Sequence, residues 1–472
     1  MIERCAVGTS IEPQVSVLIV GGGACGLSAA LAARDHGAAE VLVLERDALP
    51  RGSTAMSSGF VPAAGTRWQA ALGIADSAER MAQDIQNKNH QQADPGMVRA
   101  VAEASGVVVE HLADRHGIPF ELVQGFLYPG HSVMRMHCTP RRTGEELMGA
   151  LLLACEKAGV DILTECHVLT LVVDDEDRVV GVELQRPDGS RERIGCRNLV
   201  LACSGFGGNT ELVNHYLPYM KDAVFYGHTG NQGDALQWGH ALGAAMGDLG
   251  ACQGHGSLAW PHQTLISWAL MMQGGVQVNR RGERFSNEHQ GYSEQARVVL
   301  QQPERCVWNI YDQRIHESAL AFEDYRQAEA AHAIKRADTL EHLAGLLDLP
   351  LEPFLRTLSE VHSSCLASEV DRFGRRFDPA QQLHGPWFAI QVTGALFHTQ
   401  GGLEVDAHAR VLRANSREPF PNLFAGGGAA RGLSGADDTG YLSGNGLLSA
   451  VVLGAMAGRH AAAPIPQTPA RA

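Results

Sequence analysis

Apolar and polar positions follow two registers along this chain, and they change over at identifiable points. Residues 15–20, VSVLIV, form a nearly unbroken apolar run of the kind shown by a strand covered on both sheet faces. A glycine turn follows, then GLSAALAARDHG with helical spacing, then the short apolar run VLVL. The order strand, turn, helix, strand results. Residues 76–118 and 143–159 carry helical periodicity, after which residues 160–204 alternate like strands around a turn at Asp188 and Gly189. This reads as a small inserted sheet. LVLACSG returns to a buried strand, and Gly205, Gly207 and Gly208 behind it would let a backbone pass close to a ligand. From about residue 254 the character changes. GVQVNRRGERFSNE and CVWNIYDQR read as strands, 323–370 as a helical stretch, and WFAIQVTGALFHTQGG as a strand leading to PNLFAGGG and a small-residue helix near the C-terminus.

The first of these units carries chemistry. Gly21 permits the tight turn, Gly23 lets backbone N–H groups approach a pyrophosphate where Ala24 opens the helix, and Gly26 lets that helix pack on the strand. Glu45 stands about 20 residues further on, where a carboxylate would accept the ribose hydroxyls. The fingerprint serves NAD as well as FAD. The stretch RDALPRGSTAMSSG favours FAD, because Arg46, Ser53, Thr54, Ser57 and Gly59 make a small, polar segment suited to a larger cofactor. Asp234 in GHTGNQGDA and Gly427, Gly444, Gly446 and Leu447 in the C-terminal glycine-rich loop complete the expected edge.

Composition bounds the rest. The chain has 472 residues, beyond the size at which one core stops growing, so more than one domain is expected. The fold class is α/β: a Rossmann-like FAD-binding domain over 1–253 and 393–472, with an α+β substrate cap over 254–392. Against 38 basic residues stand 52 acidic ones, a net charge of -14, so a nucleic-acid partner lacks its electrostatic footprint. The ten cysteines show neither CxxC nor zinc spacing, so no metal is expected and reduced thiols in a cytoplasmic setting are the default. No run reaches the ~18 apolar residues of a membrane span, and the N-terminus lacks an apolar leader core. The Pro- and Ala-biased tail, 461–472, is expected to be disordered.

The motifs GGGACGLSAA, LACSGFGGN, GHTGNQGDA, VNRRGERFSNE, FHTQGGL and NLFAGGG, in this order, resemble the flavoprotein family of soluble fumarate reductases and 3-ketosteroid dehydrogenases. The resemblance implies a flavin domain, a mobile cap, and hydride exchange between flavin and a carbon next to an activated one. It also implies FAD held without a covalent bond, because Gly52, Ser53 and Thr54 stand where the succinate dehydrogenase branch carries a histidine. At the fumarate reductase positions this chain keeps two histidines, His255 and His398, but neither arginine, and His316 stands at the proton-donor position. Tyr292 replaces the arginine of the proton relay. In the 3-ketosteroid dehydrogenases a tyrosine at that place takes the α proton and a second one hydrogen-bonds the ketone, which implies catalytic roles for Tyr292 and Tyr441, with Ser443 in the same GY-x-SG string. A base of this kind needs its phenol, ordinarily near 10, pulled down by positive potential. Arg141 and Arg142 read as a solvated pair at a helix start, and Tyr128 as either a site tyrosine or a turn residue.

Desaturation of a 3-oxosteroid or smaller alicyclic ketone is therefore the leading expectation, with a fumarate- or urocanate-type enoate reductase as the alternative and a non-enzymatic flavin binder as a third. The expected partner is a small ketone or enoate. No second dinucleotide fingerprint marks an NAD site, and the electron acceptor is not legible.

Overall fold

The computed structural model describes residues 1–463; residues 464–472, most of the Pro- and Ala-biased tail, lie outside the described residues. Strand Gln14–Val20 runs parallel between Val41–Leu44 and Arg191–Leu201, with Pro419–Ala425 parallel on the far side of Arg191–Leu201. Val17, Leu18 and Ile19 are fully buried, because helices and further strands cover both faces of this sheet. The hairpin His167–Asp174, Val179–Gln185 and Arg191–Leu201, turned at Asp188 and Gly189, was expected as a separate small sheet. It instead continues the main sheet to nine strands, because its last strand is the long Arg191–Leu201 that pairs with Gln14–Val20.

Helix Ala24–Asp35 packs on this sheet beside the C-terminal helix Gly454–Ala461, whose Ala461 carbonyl accepts from Asn198 Nδ2 of the sheet at 2.8 Å. A Cβ on Gly26 would stand 1.9 Å from the Gly21 carbonyl oxygen, and one on Gly458 would stand 1.9 Å from that of Ala29. Small residues at these points let the C-terminal helix press onto the first one. That helix is reached through a short helix, Asn445–Leu448, and a π turn at Ser449–Leu453, an irregularity that places the preceding turn at the cofactor edge.

A second, six-stranded sheet is built on the long strand Trp387–Thr399, with Cys252–Ala259, Cys306–Asp312 and Ile334–Ala337 antiparallel to it. The sequence positions 254 and 393 both fall inside strands of this sheet, and its edge strand Val224–Phe225 comes from earlier in the chain. The stretch 323–370, read as helical, holds helices Glu323–Ala330, Leu340–Leu347 and Leu351–Ala367 with strand Ile334–Ala337 between them. Among the described residues no helix is long and apolar enough to cross a membrane, and all ten cysteines are free thiols.

Candidate active site

A groove runs over the carboxyl ends of the parallel strands, the place where open α/β sheets receive ligands. Gly21 adopts φ +109° there, and a Cβ would meet the Ala202 carbonyl oxygen at 2.4 Å, so only glycine turns this corner. Gly23 precedes helix Ala24–Asp35 without giving it a side-chain cap, and no acidic residue stands in its first turn. Backbone N–H groups at that end are left for an anion. Glu45 is oriented across the turn by the Gly22 N–H (2.8 Å) and the Asp47 N–H (3.0 Å), both donating to its carboxylate. Arg46 donates to the Gly230 carbonyl (2.8 Å), while Ser53 Oγ accepts from His228 N–H (3.0 Å) and Asn231 Nδ2 (2.9 Å). Thr54 Oγ1 accepts from Ala24 N–H (3.2 Å). Asp234 lines the same groove, and burial raises its carboxyl.

The groove has the features a dinucleotide needs. Its glycine turn, uncapped helix start and ribose-height carboxylate face one channel that also contains Gly427. Beside it, the buried side-chain amide of Asn445 and the Ser449 hydroxyl have no hydrogen-bond partner among the described residues, which leaves polar groups for a ligand. FAD fits this donor set. Three glycines expected to face it do something else. Gly205 is pressed against Thr399, with a Cβ only 2.0 Å from Oγ1, and Gly207 against the Phe225 ring. Gly59, at φ +70°, makes room for the Thr143 carbonyl. These three are required by protein packing.

A cleft of about 1060 Å³, counted out to its open mouth, joins the groove at Ser53, Thr54, Ser204, Gly428 and Ala450. Tyr292, Tyr441, Ser443, His255 and His398 all line it, as do Ser57, Gly444, Gly446 and Leu447. Phe60, Tyr128, Tyr226, Trp268 and Phe397 add an aromatic wall, and Met56, Met136 and Leu265 add aliphatic surface. Among the described residues no Asp, Glu, Lys or Arg contributes to the lining.

Local structure explains the arrangement. Tyr292 is the first residue of helix Tyr292–Leu300, behind Gly291 at φ +155°. Tyr441 precedes the Gly444 turn, and the Gly446 N–H donates to its hydroxyl oxygen at 3.1 Å. The two rings are 6.0 Å apart. Burial drives the Tyr441 phenol well above its ordinary value. Burial also raises Tyr292, to about 12, but hydrogen bonds with Ser443, the Gly444 backbone and Tyr441 oppose the shift. The positive potential expected beside this phenol is absent, since the cleft lining carries no cation. His255 stacks between Tyr292 (4.8 Å) and Phe397 (5.0 Å). The Ser257 N–H donates to its Nδ1 at 3.1 Å, which leaves the proton of the neutral ring on Nε2. Desolvation holds His255 down to about 3 and His398 to about 4, so both are neutral at pH 7.

His316 departs from expectation. It sits in helix Gln313–Ala319, stacked 4.3 Å from Phe388 and joined to the Tyr325 hydroxyl at 2.8 Å, and it does not line the cleft. Arg142 lies over the Phe322 ring, and Tyr128 proves to be a cleft residue with its hydroxyl 3.3 Å from Ser267 Oγ. A support absent from the sequence reading is His131. Its Nε2 donates to the Ser443 carbonyl (2.9 Å), and its Nδ1 accepts from the fully buried Arg135, which is ion-paired to Asp76 and Asp84. No local signal in the sequence points to it, because its partner Ser443 lies 312 residues further along the chain.

A Rossmann-type groove joined to an aromatic, uncharged cleft with paired tyrosines defines a flavoprotein oxidoreductase. The family model described as FAD binding domain matches residues 16–447, and the chain belongs to that family. A probable fumarate reductase, Ifc3, of Shewanella frigidimarina (strain NCIMB 400) is 29% identical over 97% of this chain and 76% of its own length. An NADH:fumarate oxidoreductase of Klebsiella pneumoniae (strain 342) is 28% identical over 94% of this chain, which spans 47% of that protein. A urocanate reductase of Eggerthella lenta is 25% identical over 96% of this chain and 75% of its own. Among solved structures, the open conformation of a flavocytochrome c3 fumarate reductase superposes with a TM-score of 0.78 at 29% identity, covering 97% of this chain and 79% of that one. A 3-ketosteroid-Δ4-(5α)-dehydrogenase from Rhodococcus jostii RHA1, bound to 4-androstene-3,17-dione, gives 0.77 at 26% identity, covering 98% of this chain and 100% of that one. The protein is an FAD-dependent oxidoreductase acting on carbon–carbon bonds of the CH–CH type.

Proposed function

We propose that this oxidoreductase acts on the carbon–carbon bond beside the carbonyl of an uncharged ring compound, a ketone in the desaturating direction or an enone in the reducing one. The observation that carries the reading is the cleft lining, which among the described residues holds four tyrosines, two neutral histidines and no charged side chain. A dicarboxylate would lose its water there without a counter-charge, at a cost of several kcal/mol per ion. Bound FAD supplies the acceptor or donor of hydride. Tyr441, whose phenol stays protonated, donates a hydrogen bond to the carbonyl oxygen and stabilises the enolate as it develops. Tyr292, the more readily ionised of the two, takes or returns the α proton, with Ser443 supporting its oxygen. The cap is taken as residues 254–392, the cofactor domain as the rest, and the cofactor as held without a covalent bond.

A second reading has its own support. Relatives named for fumarate and urocanate weigh toward reduction of an enoate. Anaerobic mixing of the photoreduced holoenzyme with 4-androstene-3,17-dione, 2-cyclohexenone, fumarate and urocanate separates the two. Fast flavin reoxidation by an enone with slow reaction of both carboxylates supports the carbonyl reading; fast reoxidation by fumarate or urocanate alone replaces it with enoate reduction.

A further inference from the structure

Behind the two tyrosines lies a buried charge that the chemistry above does not use. Asp438 stands three residues before Tyr441 and is fully buried, yet among the described residues neither of its carboxylate oxygens has a hydrogen-bond partner. Its one close counter-charge is Arg297, with NH2 at 3.5 Å, and Arg297 belongs to helix Tyr292–Leu300, the helix that begins with Tyr292. The Arg297 guanidinium is also braced over the Tyr219 ring at 5.3 Å. A buried carboxylate without hydrogen bonds is costly and calls for a reason to be kept. The same helix is tied down a second time where Lys88 pairs with Glu294.

We infer that Arg297 and Asp438 are positioning residues, an ion pair that joins the element carrying Tyr292 to the loop carrying Tyr441 and so sets the spacing of the two phenols. The inference rests on the tyrosine pair being the reacting groups. The pair acts as a strut between two elements that share no backbone ladder. With Asp438 ionised, the attraction to Arg297 draws the Tyr441 loop onto the helix; with Asp438 neutral, the strut slackens and the two hydroxyls lose their relation. The groups facing this carboxyl are Arg297, Asp437, Glu294, Tyr219 and Cys252. Burial, reinforced by Asp437 and Glu294 and opposed by Arg297, raises it to about 6, so the strut changes state between about pH 5 and 7.

A carboxyl raised in the folded state adds stability in its neutral form, fully present below about 3.8 and lost as pH rises through about 6. Wild type is therefore penalised at pH 8, and the penalty disappears in Asp438→Asn.

The test compares wild-type holoenzyme with Asp438→Asn and Arg297→Met. The first readout is the rate at which 4-androstene-3,17-dione reoxidises photoreduced flavin from pH 5 to 8; the second is melting temperature over the same range. Wild type is expected to lose rate below about pH 6. Asp438→Asn should be roughly 10- to 100-fold slower at pH 7.5 with unchanged half-saturation, since a misplaced reacting group costs that order, and it should show no acid limb. Arg297→Met should move the limb to higher pH. The melting temperature of Asp438→Asn at pH 8 should equal or exceed that of wild type, whereas a merely structural pair would lower it. A wild-type rate with the acid limb intact, or a lower melting temperature at pH 8 with no flattening toward pH 5, overturns the inference. Tyr292→Phe and Tyr441→Phe serve as separate controls. If they keep wild-type rates, the tyrosine reading itself fails; if they are slow while Asp438→Asn is not, only the strut fails.

Discussion

Tyr292 and Tyr441 share a cavity but are held differently, and the difference assigns their work. Tyr441 accepts a backbone N–H and stays a phenol; burial raises Tyr292 only to about 12, because Ser443, the Gly444 backbone and Tyr441 oppose the rise. Tyr292→Phe should therefore abolish solvent exchange of the substrate α proton, measured by NMR in deuterated buffer, while FAD content stays normal. Full exchange in that variant would assign the base elsewhere. The histidines give a pH prediction. Held at about 3 and 4, His255 and His398 are neutral throughout the working range, so they contribute no limb between pH 5 and 8. A rate limb near 6.5 that survives in Asp438→Asn would place a titrating histidine in the chemistry.

At the scale of elements, close backbone approach decides what tolerates change. A Cβ on Gly446 would lie 2.3 Å from His398 Nε2 and 3.3 Å from the Tyr441 hydroxyl. Gly446→Ala should keep FAD and lose turnover, as read from flavin absorbance and reoxidation rate. Gly26→Ala meets backbone at 1.9 Å instead, so it should lose FAD and destabilise the fold by about 1–3 kcal/mol, read from denaturant unfolding. The cofactor unit was legible in the sequence because its signals are local: apolar strand, glycine turn, helix and acid lie within residues 14–45. Tyr441 and Ser443 were legible for the same reason, within one short string. Gly205 and Gly207 carried a true signal of close approach but not of what approaches, since Thr399 and Phe225 arrive from distant strands. His316 was misplaced because its neighbours, Tyr325 and Phe388, are set by how a cap helix packs, which no spacing records. The His131–Arg135 support of Ser443 joins segments more than 300 residues apart and has no local signature.

For the whole molecule, the decisive property is the absence of charge where two sheets meet over the cofactor groove. The net charge of -14 offers a dianion no long-range attraction, and the cleft offers none at close range. Sequence likeness to fumarate reductases and a cleft without their arginines are compatible because fold and hydride chemistry reside in the cofactor domain, whereas charge preference resides in a few wall residues. If Tyr441 stabilises a carbonyl oxygen during turnover, Tyr441→Phe must slow the chemistry itself. Loss of one such donor typically slows the chemical step by about 100- to 1,000-fold. Stopped-flow reoxidation of the photoreduced enzyme by 4-androstene-3,17-dione should show that loss, with FAD content and half-saturation close to wild type. Reoxidation at the wild-type rate would contradict the account.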